Sequence, residues 1–307
     1  MIRIRSFLNH DPPAITKVIN ECCLLEAKVS TNLLEFAVFA KTYFNRKRFF
    51  VATIADEIMG FVHLGSEMTD DLEAGTLTIS NYLVKDSNQD IARALLKHTV
   101  EFAKQQGFER LRIGTGPDQA EYYNGISSHF LNVGVPDRHP IFPVLSQLGF
   151  ETVANWHCLQ FDAHTQQVPF SREQMSLRRT HLLKQTVDPT FGDLTLNAIY
   201  SHLATSRLDL TDRRTDNIDA SLTYACLAQS YPNWPGGGVD IIGYEPGNDF
   251  NASHFEFLLC EILRQLPQIG LSSLRLHIDG RDDSRLDVAE QIGFRKTITS
   301  SHVELTF

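Results

Sequence analysis

The stretch Asp90-Ile-Ala-Arg-Ala-Leu-Leu-Lys-His-Thr-Val-Glu-Phe-Ala-Lys-Gln-Gln106, followed by Gly107-Phe-Glu-Arg-Leu-Arg-Ile113, decides the fold. Its apolar residues recur at helical spacing and predict a buried side made of Ile91, Leu95, Leu96, Val100 and Phe102. Gly107 stands where helices commonly end in a left-handed residue. We therefore expect a helix over residues 90–106 and a strand over residues 110–114.

A second copy of this pattern lies in the other half of the chain. The segment 106–113 is echoed by Ile269-Gly-Leu-Ser-Ser-Leu-Arg-Leu276, and Gln147-Leu-Gly-Phe150 is echoed by Gln291-Ile-Gly-Phe294. Gly107 and Gly149 lie 42 residues apart in the first copy, and Gly270 and Gly293 lie 23 apart in the second. The first copy therefore carries 19 extra residues, which we expect to form a loop over about 121–140. Two ordered anchors in both halves indicate a duplication. We expect domains at residues 1–163 and 171–307.

Periodicity predicts the other elements of each half. The first half has predicted strands at 3–8, 49–54, 59–64, 76–84 and 156–161, and helices at 14–25 and 141–148. The second half has predicted strands at 176–183, 218–226, 239–243, 273–278 and 302–307, and helices at 194–203, 253–266 and 285–292. The first half therefore has the order β-α-β-β-β-α-β-α-β.

Composition excludes several classes of protein. The chain has 307 residues with 28 Lys and Arg against 37 Asp and Glu, and its longest basic cluster is Arg46-Lys47-Arg48. Nucleic acid is therefore not an expected partner, because backbone binding needs clustered cations. The five cysteines are odd in number and lack Cys-X-X-Cys spacing, which favours a reducing cytoplasm. No stretch approaches the about 18 apolar residues of a membrane span, so no membrane association is expected.

Other chemical motifs are not found. Twelve histidines occur without a His-Glu-X-X-His pattern, so we expect no metal site. Gly114-Thr-Gly116 follows a predicted strand but lacks a third glycine and a following helix, and it does not match a dinucleotide fingerprint.

The element order, with a long helix, a strand and a short helix that ends in Gly-Phe, resembles the GNAT superfamily of acyl-CoA-dependent N-acyltransferases. The resemblance implies an α/β (α+β) fold of two tandem GNAT-like domains, each a mixed, largely antiparallel sheet flanked by helices. It also implies acetyl-CoA as the acyl donor. In the family, a Gln/Arg-X-X-Gly-X-Gly/Ala motif precedes the long helix, and N–H groups at the helix start hold the pyrophosphate of coenzyme A.

The segment Ser87-Asn-Gln-Asp-Ile-Ala92 aligns with that motif, and only Ala92 agrees with it. By resemblance, the cofactor-binding residues are Leu83, Val84, Lys85, Ser87, Asn88, Gln89, Asp90, Ile91, Ala92 and Arg93. Asp90 stands at the first glycine of the motif, where its carboxylate either caps the helix in place of the cofactor or must turn away from the pyrophosphate. In the latter case Asp90→Gly is expected to tighten coenzyme A binding tenfold or more. The aligned segment of the second copy, Phe250-Asn-Ala-Ser-His-Phe255, keeps neither glycine, and we expect that copy to be structural.

The candidate catalytic groups are less defined. Family members commonly carry a Tyr four residues before the Gly-Phe of the short helix, but those positions hold Leu145 and Ala289 here. Tyr123 and His129 are the candidates for proton transfer, and by resemblance a backbone N–H near Leu83 polarises the thioester carbonyl.

Other residues lie near the expected acceptor site. Tyr43 is a polar aromatic in that region, and Tyr82 lies on the strand beside the thioester or in the core. The acidic segment 67–73 either attracts a cationic amine or is a solvated turn.

The sequence thus predicts a cytoplasmic N-acetyltransferase that acts on a primary amine of a small molecule or peptide. The alternative is a non-catalytic protein that uses the same fold for ligand sensing or partner binding. The oligomeric state stays open.

Overall fold

The fold is described from a computed structural model. The structure describes residues 1–22, 28–65, 75–114, 123, 133–192, 194–227 and 238–307. These residues form two compact units. The first comprises Met1–Asn155, Gly192–His202 and Ser300–Phe307, and the second comprises Trp156–Phe191 and Leu203–Thr299.

The described part of the first half of the chain contains four α-helices between its strands. Its elements are β1 (Arg3–Ser6), α1 (Pro12–Cys22), α2 (Thr31–Leu34), β2 (Phe49–Ile54), β3 (Glu57–Leu64), β4 (Thr76–Val84), α3 (Gln89–Gln105), β5 (Arg110–Ile113), β6 (Val135–Pro136), α4 (Phe142–Gln147) and β7 (Glu151–Asp162). Strands β1 to β4 pair as an antiparallel meander, and β4 pairs with β5 in parallel.

The second half has the corresponding order after one extra helix. Its elements are α5 (Arg172–Thr180), β8 (His181–Val187), α6 (Leu194–Tyr200), β9 (Leu203–Asp212), β10 (Ile218–Leu227), β11 (Gly238–Pro246), α7 (Ala252–Gln265), β12 (Ser273–Asp279), α8 (Asp283–Ile292) and β13 (Arg295–Thr306). Strands β8 to β11 pair as an antiparallel meander, and β11 pairs with β12 in parallel. The predicted fold class, α/β with mixed and largely antiparallel sheets flanked by helices, is confirmed.

Each unit is completed by a strand from the other half of the sequence. Residues 303–306 of β13 pair antiparallel with β5 in the first unit. Residues 156–162 of β7 pair antiparallel with β12 in the second unit. Gly114 follows β5 with φ of +91°, and a Cβ there would lie 2.6 Å from the Gly134 Cα, so β5 ends in a place that admits only glycine. The predicted domain boundaries, 1–163 and 171–307, stay a prediction.

The core of the first unit shows how alternation positions the site. Phe50, Ala52, Val62 and Leu64 alternate along β2 and β3 and belong to the same buried cluster as Leu95 of α3. Because side chains of a strand alternate between faces, the intervening residues point to the other face of the sheet.

The predicted duplication agrees with the backbone. Gly107 and Gly270 both have positive φ, of +82° and +74°, after the long helices α3 and α7. Gly149 and Gly293 also have positive φ, of +87° and +114°, after the short helices α4 and α8. The predicted 121–140 loop lies largely outside the described residues.

Two predictions of secondary structure are wrong. Residues 176–180 were expected in a strand but end helix α5, whose N-terminus is capped by the Ser171 side chain accepting the Gln174 N–H. Strand β9 was not predicted. Its buried Leu208 and Leu210 alternate with Arg207 and Asp209, which form an ion pair at 2.7 Å. The two charged residues make the alternation of apolar side chains hard to recognise in the sequence. Within the described part of the chain, none of the helices is long and apolar enough to cross a bilayer.

Candidate functional site

The first sheet opens between β4 and β5. The two strands pair only from Thr76 with Arg110 to Ile79 with Ile113. At the next residue, Ser80, the register between β4 and β3 shifts by one, which is a β-bulge. The remaining part of β4 continues beside the opening.

A cavity of about 360 Å³ lies at this opening. Its walls come from the ends of α1 and β4, the start of α3 and the segment before α4. Four of the predicted cofactor-binding residues line it: Leu83, Val84, Ser87 and Ala92. Its volume falls within the about 300–1,000 Å³ of small-molecule sites.

The start of α3 is capped by its own chain. The Asn88 Oδ1 accepts hydrogen bonds from the N–H groups of Asp90 at 3.1 Å and Ile91 at 3.2 Å. A helix start offers about four N–H groups without intrahelical partners, and two of them are therefore used here. An anion can bind these two groups only after the Asn88 side chain turns away.

Of the two alternatives for Asp90, the one in which its carboxylate caps this helix is wrong. Its side chain is 80% exposed and lies 3.4 Å from the Arg93 guanidinium. Asn88 takes the cap because a capping side chain belongs to the residue that precedes the first helical one, and Asp90 is already within the helix. Arg93 also donates to the Gln147 Oε1 at 2.9 Å.

The remaining predicted cofactor residues have other environments. Ile91 is fully buried in the core and Gln89 is exposed in the first turn of α3. The Lys85 ammonium lies 2.9 Å from Glu57 and 3.0 Å from Glu21 and does not line the cavity. Lys85 therefore anchors the connection between β4 and α3.

That connection has an unusual backbone. Asp86 and Ser87 have φ of 53° and 51°, in the left-handed region that residues other than glycine seldom adopt. Such residues each cost about 1–3 kcal/mol and persist where the surrounding structure holds them. The two ion pairs of Lys85 supply that support, and the turn places Ser87 in the cavity wall.

Tyr82 lines the cavity and carries a buried hydroxyl. Because of the bulge at Ser80, Tyr82 belongs to the same buried cluster as Leu77 and Ile79 on the α3 side. Its side chain is 2% exposed, and its hydroxyl has no hydrogen-bond partner among the residues that the structure describes. Burial raises the pKa of Tyr82, so the phenol stays neutral and can donate a hydrogen bond.

The cavity wall carries no cation at neutral pH among its described lining residues. Glu21 and Asp86 are acidic, and burial raises the pKa of the Cys22 thiol to about 11. Burial also lowers the pKa of His139, which keeps its imidazole neutral. The cavity thus suits an uncharged part of a ligand rather than a phosphate.

Comparison with known proteins bears on this geometry. A family model described as an acetyltransferase (GNAT) domain matches residues 4–162, which is more than half of the chain. The chain belongs to the GNAT family. No curated protein matches the sequence.

Solved GNAT structures match the chain over nearly its whole length. A tandem GNAT protein from the clavulanic acid biosynthesis pathway, without AcCoA, has a TM-score of 0.70 at 10% identity, and the match covers 100% of this chain and 98% of that one. A GCN5-related N-acetyltransferase from Sphaerobacter thermophilus has a TM-score of 0.65 at 10% identity, with 99% and 95% covered. A glucosamine N-acetyltransferase region of a fungal multi-domain GH3 β-N-acetylglucosaminidase has a TM-score of 0.67 at 12% identity, with 99% of this chain and 38% of that one covered. These likenesses show the fold.

In this GNAT protein, Tyr123 is buried beside His63, which the sequence pattern does not single out. The Tyr123 hydroxyl lies 3.0 Å from the His63 Nδ1, and both side chains are almost completely buried. Burial lowers the pKa of His63 to about 3, so the imidazole is neutral. The signal in the sequence was a single His within the apolar strand Gly60-Phe-Val-His-Leu64.

Neither described cavity is lined by Tyr123. Its catalytic role stays a prediction, and His129 lies outside the described residues. The acidic segment 67–73 also lies outside them.

A second cavity in the first unit, of about 780 Å³, lies beside an aromatic cluster. Phe7, Phe39 and Phe44 line it and contact Phe49, which alternates with the core residue Phe50 and so points to the face opposite α3. The other lining residues include Tyr43, Glu35 and Arg46. Among its described lining residues, this cavity combines aromatic walls with one acidic and one basic side chain.

The second unit of the GNAT protein repeats the backbone of the site. Strands β4 and β11 each have a bulge at their fifth residue, Ser80 and Ile242. Parallel pairing with the next strand stops after Ile79 in the first unit and after Asp240 in the second. Helix α7 is capped by Asn251, whose Oδ1 accepts from two N–H groups as the Asn88 Oδ1 does.

Large side chains occupy the corresponding place in the second unit. Counting from the bulges, Tyr244 corresponds to Tyr82, and counting from the caps, Phe250 and Phe255 correspond to Ser87 and Ala92. The ring centroids of Tyr244 and Phe255 are 4.7 Å apart, and those of Phe250 and Phe255 are 5.9 Å apart.

A guanidinium covers this aromatic group. The Arg285 guanidinium lies 5.1 Å from the Tyr244 ring centroid and 5.8 Å from that of Phe250. Counting back from Gly149 and Gly293, Arg285 corresponds to the cavity residue Ile141.

Proposed function

We propose that the protein is an N-acetyltransferase that transfers an acetyl group from acetyl-CoA to a primary amine of a small molecule or peptide. The observation that carries the proposal is the cavity of about 360 Å³ at the opening between β4 and β5. It adjoins the start of α3 and lies in the half of the chain that matches the family.

The residues around the cavity fit an acyl-CoA in part. A wall without a cation suits the thioester and the arm attached to it better than the phosphates, and Leu83, Val84, Ser87 and Ala92 would hold that part. Acetyl-CoA, when bound, supplies the acetyl group as a thioester. The phosphates would bind at the start of α3, where helix N–H groups and the helix dipole favour anions. Asn88 would then release the N–H groups that it now caps.

The end of β4 carries backbone N–H groups beside the cavity. The Tyr82 N–H donates to the Asn81 Oδ1 at 2.7 Å. Because N–H groups alternate between the two sides of a strand, the Val84 N–H points to the same side as that of Tyr82, and we assign it the role of polarising a carbonyl. The raised pKa of the buried Tyr82 makes it a hydrogen-bond donor to a developing thiolate rather than a proton source.

The larger cavity is our candidate site for the amine. Glu35 would attract an ammonium group, and the faces of Phe7, Phe39 and Phe44 would add cation–π attraction. Tyr123 and His129 remain candidates for proton transfer from the amine, and the Tyr123 hydroxyl shares a hydrogen bond with the neutral imidazole of His63.

A matched pair of variants tests the proposal. Calorimetry measures acetyl-CoA binding, and release of free thiol measures acetyl transfer to a panel of primary amines. We expect Tyr82→Phe to lower kcat about 100-fold without a change in KM, as loss of one catalytic hydrogen-bond donor does. Tyr244→Phe removes the corresponding hydroxyl of the second unit and is expected to leave kcat unchanged.

The outcomes are distinct. Absence of acetyl-CoA binding at millimolar concentration would reject the acetyltransferase proposal. Binding without transfer to any amine would favour the ligand-sensing alternative instead.

A further inference from the structure

Three side chains of types that can bind a metal ion lie close together in the second unit. His181 begins β8, Asp219 lies near the start of β10 and His254 lies in the first turn of α7. One ligand atom from each lies within 4.8 Å of the other two. The His181 side chain is 9% exposed and that of Asp219 is 31% exposed, so the cluster is partly buried and still open to an ion.

Hydrogen bonds hold the His181 ring at this cluster. Its Nδ1 lies 2.8 Å from the Thr180 hydroxyl oxygen, which also lies 3.1 Å from the Ser176 carbonyl oxygen. Its Nε2 lies 2.9 Å from the Asp219 Oδ2. The tautomer in which Nδ1–H donates to Thr180 presents the Nε2 lone pair to an ion beside the Asp219 carboxylate.

His254 completes a set of three ligands. Its ring centroid lies 5.4 Å from that of His181, and its ring nitrogen adds a third ligand atom beside those of His181 and Asp219. Two imidazoles and one carboxylate form a donor set typical of Zn²⁺. The bond from His181 Nδ1 to Thr180 is the kind of outer contact that fixes the ring of a metal-binding histidine.

We propose that His181, Asp219 and His254 form a binding site for a divalent transition-metal ion, with Zn²⁺ as the probe. Zn²⁺ holds ligand atoms at about 2.0–2.1 Å and hence about 3.3 Å from one another, so side-chain adjustments of about 1 Å complete the site. The ion would tie the start of α7 to β8 and β10. The site is thus structural, independent of the proposed acetyltransferase function.

Metal binding to the full chain tests the proposal. The protein is stripped with a chelator, and Zn²⁺ is titrated by calorimetry while Co²⁺ is followed by its visible absorption. We expect one ion per chain. His254→Gln and Asp219→Asn should each weaken binding at least tenfold, and Thr180→Val should weaken it by the about 10- to 100-fold typical of a lost outer contact. Saturating Zn²⁺ should raise the melting temperature of the parent protein more than that of either ligand variant.

A matched control lies on the first unit. His10 lies 3.7 Å from Asp11 and belongs to no three-ligand cluster among the described residues, so His10→Gln should bind Zn²⁺ like the parent protein. Melting of the metal-free variants shows that they fold. The proposal is overturned if no ion binds, or if His254→Gln and Asp219→Asn bind as tightly as the parent. It is also overturned if saturating Zn²⁺ leaves the melting temperature of the parent protein unchanged.

Discussion

The starts of helices α3 and α7 have the same cap and the same preceding bulge but different neighbours. Asn88 and Asn251 each accept two N–H groups of the helix that follows. In the first unit, Ser87 and Ala92 leave room for a cavity of about 360 Å³. In the second, the corresponding Phe250 and Phe255 pack against Tyr244.

This difference shows that the backbone alone does not make a cavity in this fold. The bulge, the opening between parallel strands and the helix cap are all present in both units. Side-chain volume at a few positions decides whether the opening stays a cavity or becomes core. We therefore expect exchange of these side chains to alter binding in one unit and stability in the other.

The largest expected effect is on the stability of the second unit. Phe255→Ala removes a side chain that is 2% exposed and should lower the free energy of unfolding by about 3–5 kcal/mol, as buried Phe→Ala changes do. Urea denaturation followed by fluorescence measures it. Acetyl-CoA binding to the first unit should persist. A loss below about 1 kcal/mol would show that the aromatic group is not tightly packed.

The next effect is on binding in the first unit. Ala92→Phe introduces the side chain of the second unit and should weaken acetyl-CoA binding at least 100-fold by filling the cavity, which corresponds to about 2.7 kcal/mol. Ala94→Phe is the matched control, because Ala94 lies on the same helix and does not line the cavity. Calorimetry compares the affinities of the two variants for acetyl-CoA. Equal affinities would show that acetyl-CoA does not bind in this cavity.

The two caps give a smaller effect. Asn88→Gly frees the N–H groups of Asp90 and Ile91 and should tighten coenzyme A binding about five- to tenfold, the value of about one net hydrogen bond. Asn251→Gly should leave binding unchanged. Each variant should lose only a few tenths of a kcal/mol in stability, because glycine is itself a tolerated cap. Tightening by both variants, measured by calorimetry, would mean that the second unit also binds the cofactor.

The smallest effect is expected at Asp90. The sequence predicts a gain of tenfold or more for Asp90→Gly, but the carboxylate is exposed and paired with Arg93. Removal of a helix-terminal charge of this kind changes binding of an anion by about 0.3–1 kcal/mol, or about two- to fivefold. Calorimetry with coenzyme A at low salt distinguishes the two values. A gain in affinity above tenfold would show that the Asp90 carboxylate strongly opposes coenzyme A binding.

Local pattern predicted the elements that carry strong periodicity. Helix α3, its glycine end and the repeated order of the second half follow from apolar spacing and from Gly107 and Gly270. Pattern failed where polar residues dominate an element. Helix α5 presents only Gln174 and Leu177 as buried residues, and its remaining residues gave no helical signal.

The sequence by itself determined the repeated order of long helix, strand and short helix and the starts of α3 and α7, because helical periodicity and helix ends depend on residues close in the chain. The tertiary structure alone decided which strands complete each unit, since pairing of β5 with β13 and of β7 with β12 depends on residues more than 100 positions apart. It also decided that the bulge at Ser80 turns Tyr82 toward α3 and that His181, Asp219 and His254 meet. A one-residue shift in register exchanges the faces of a strand, and no local pattern records where such a shift occurs.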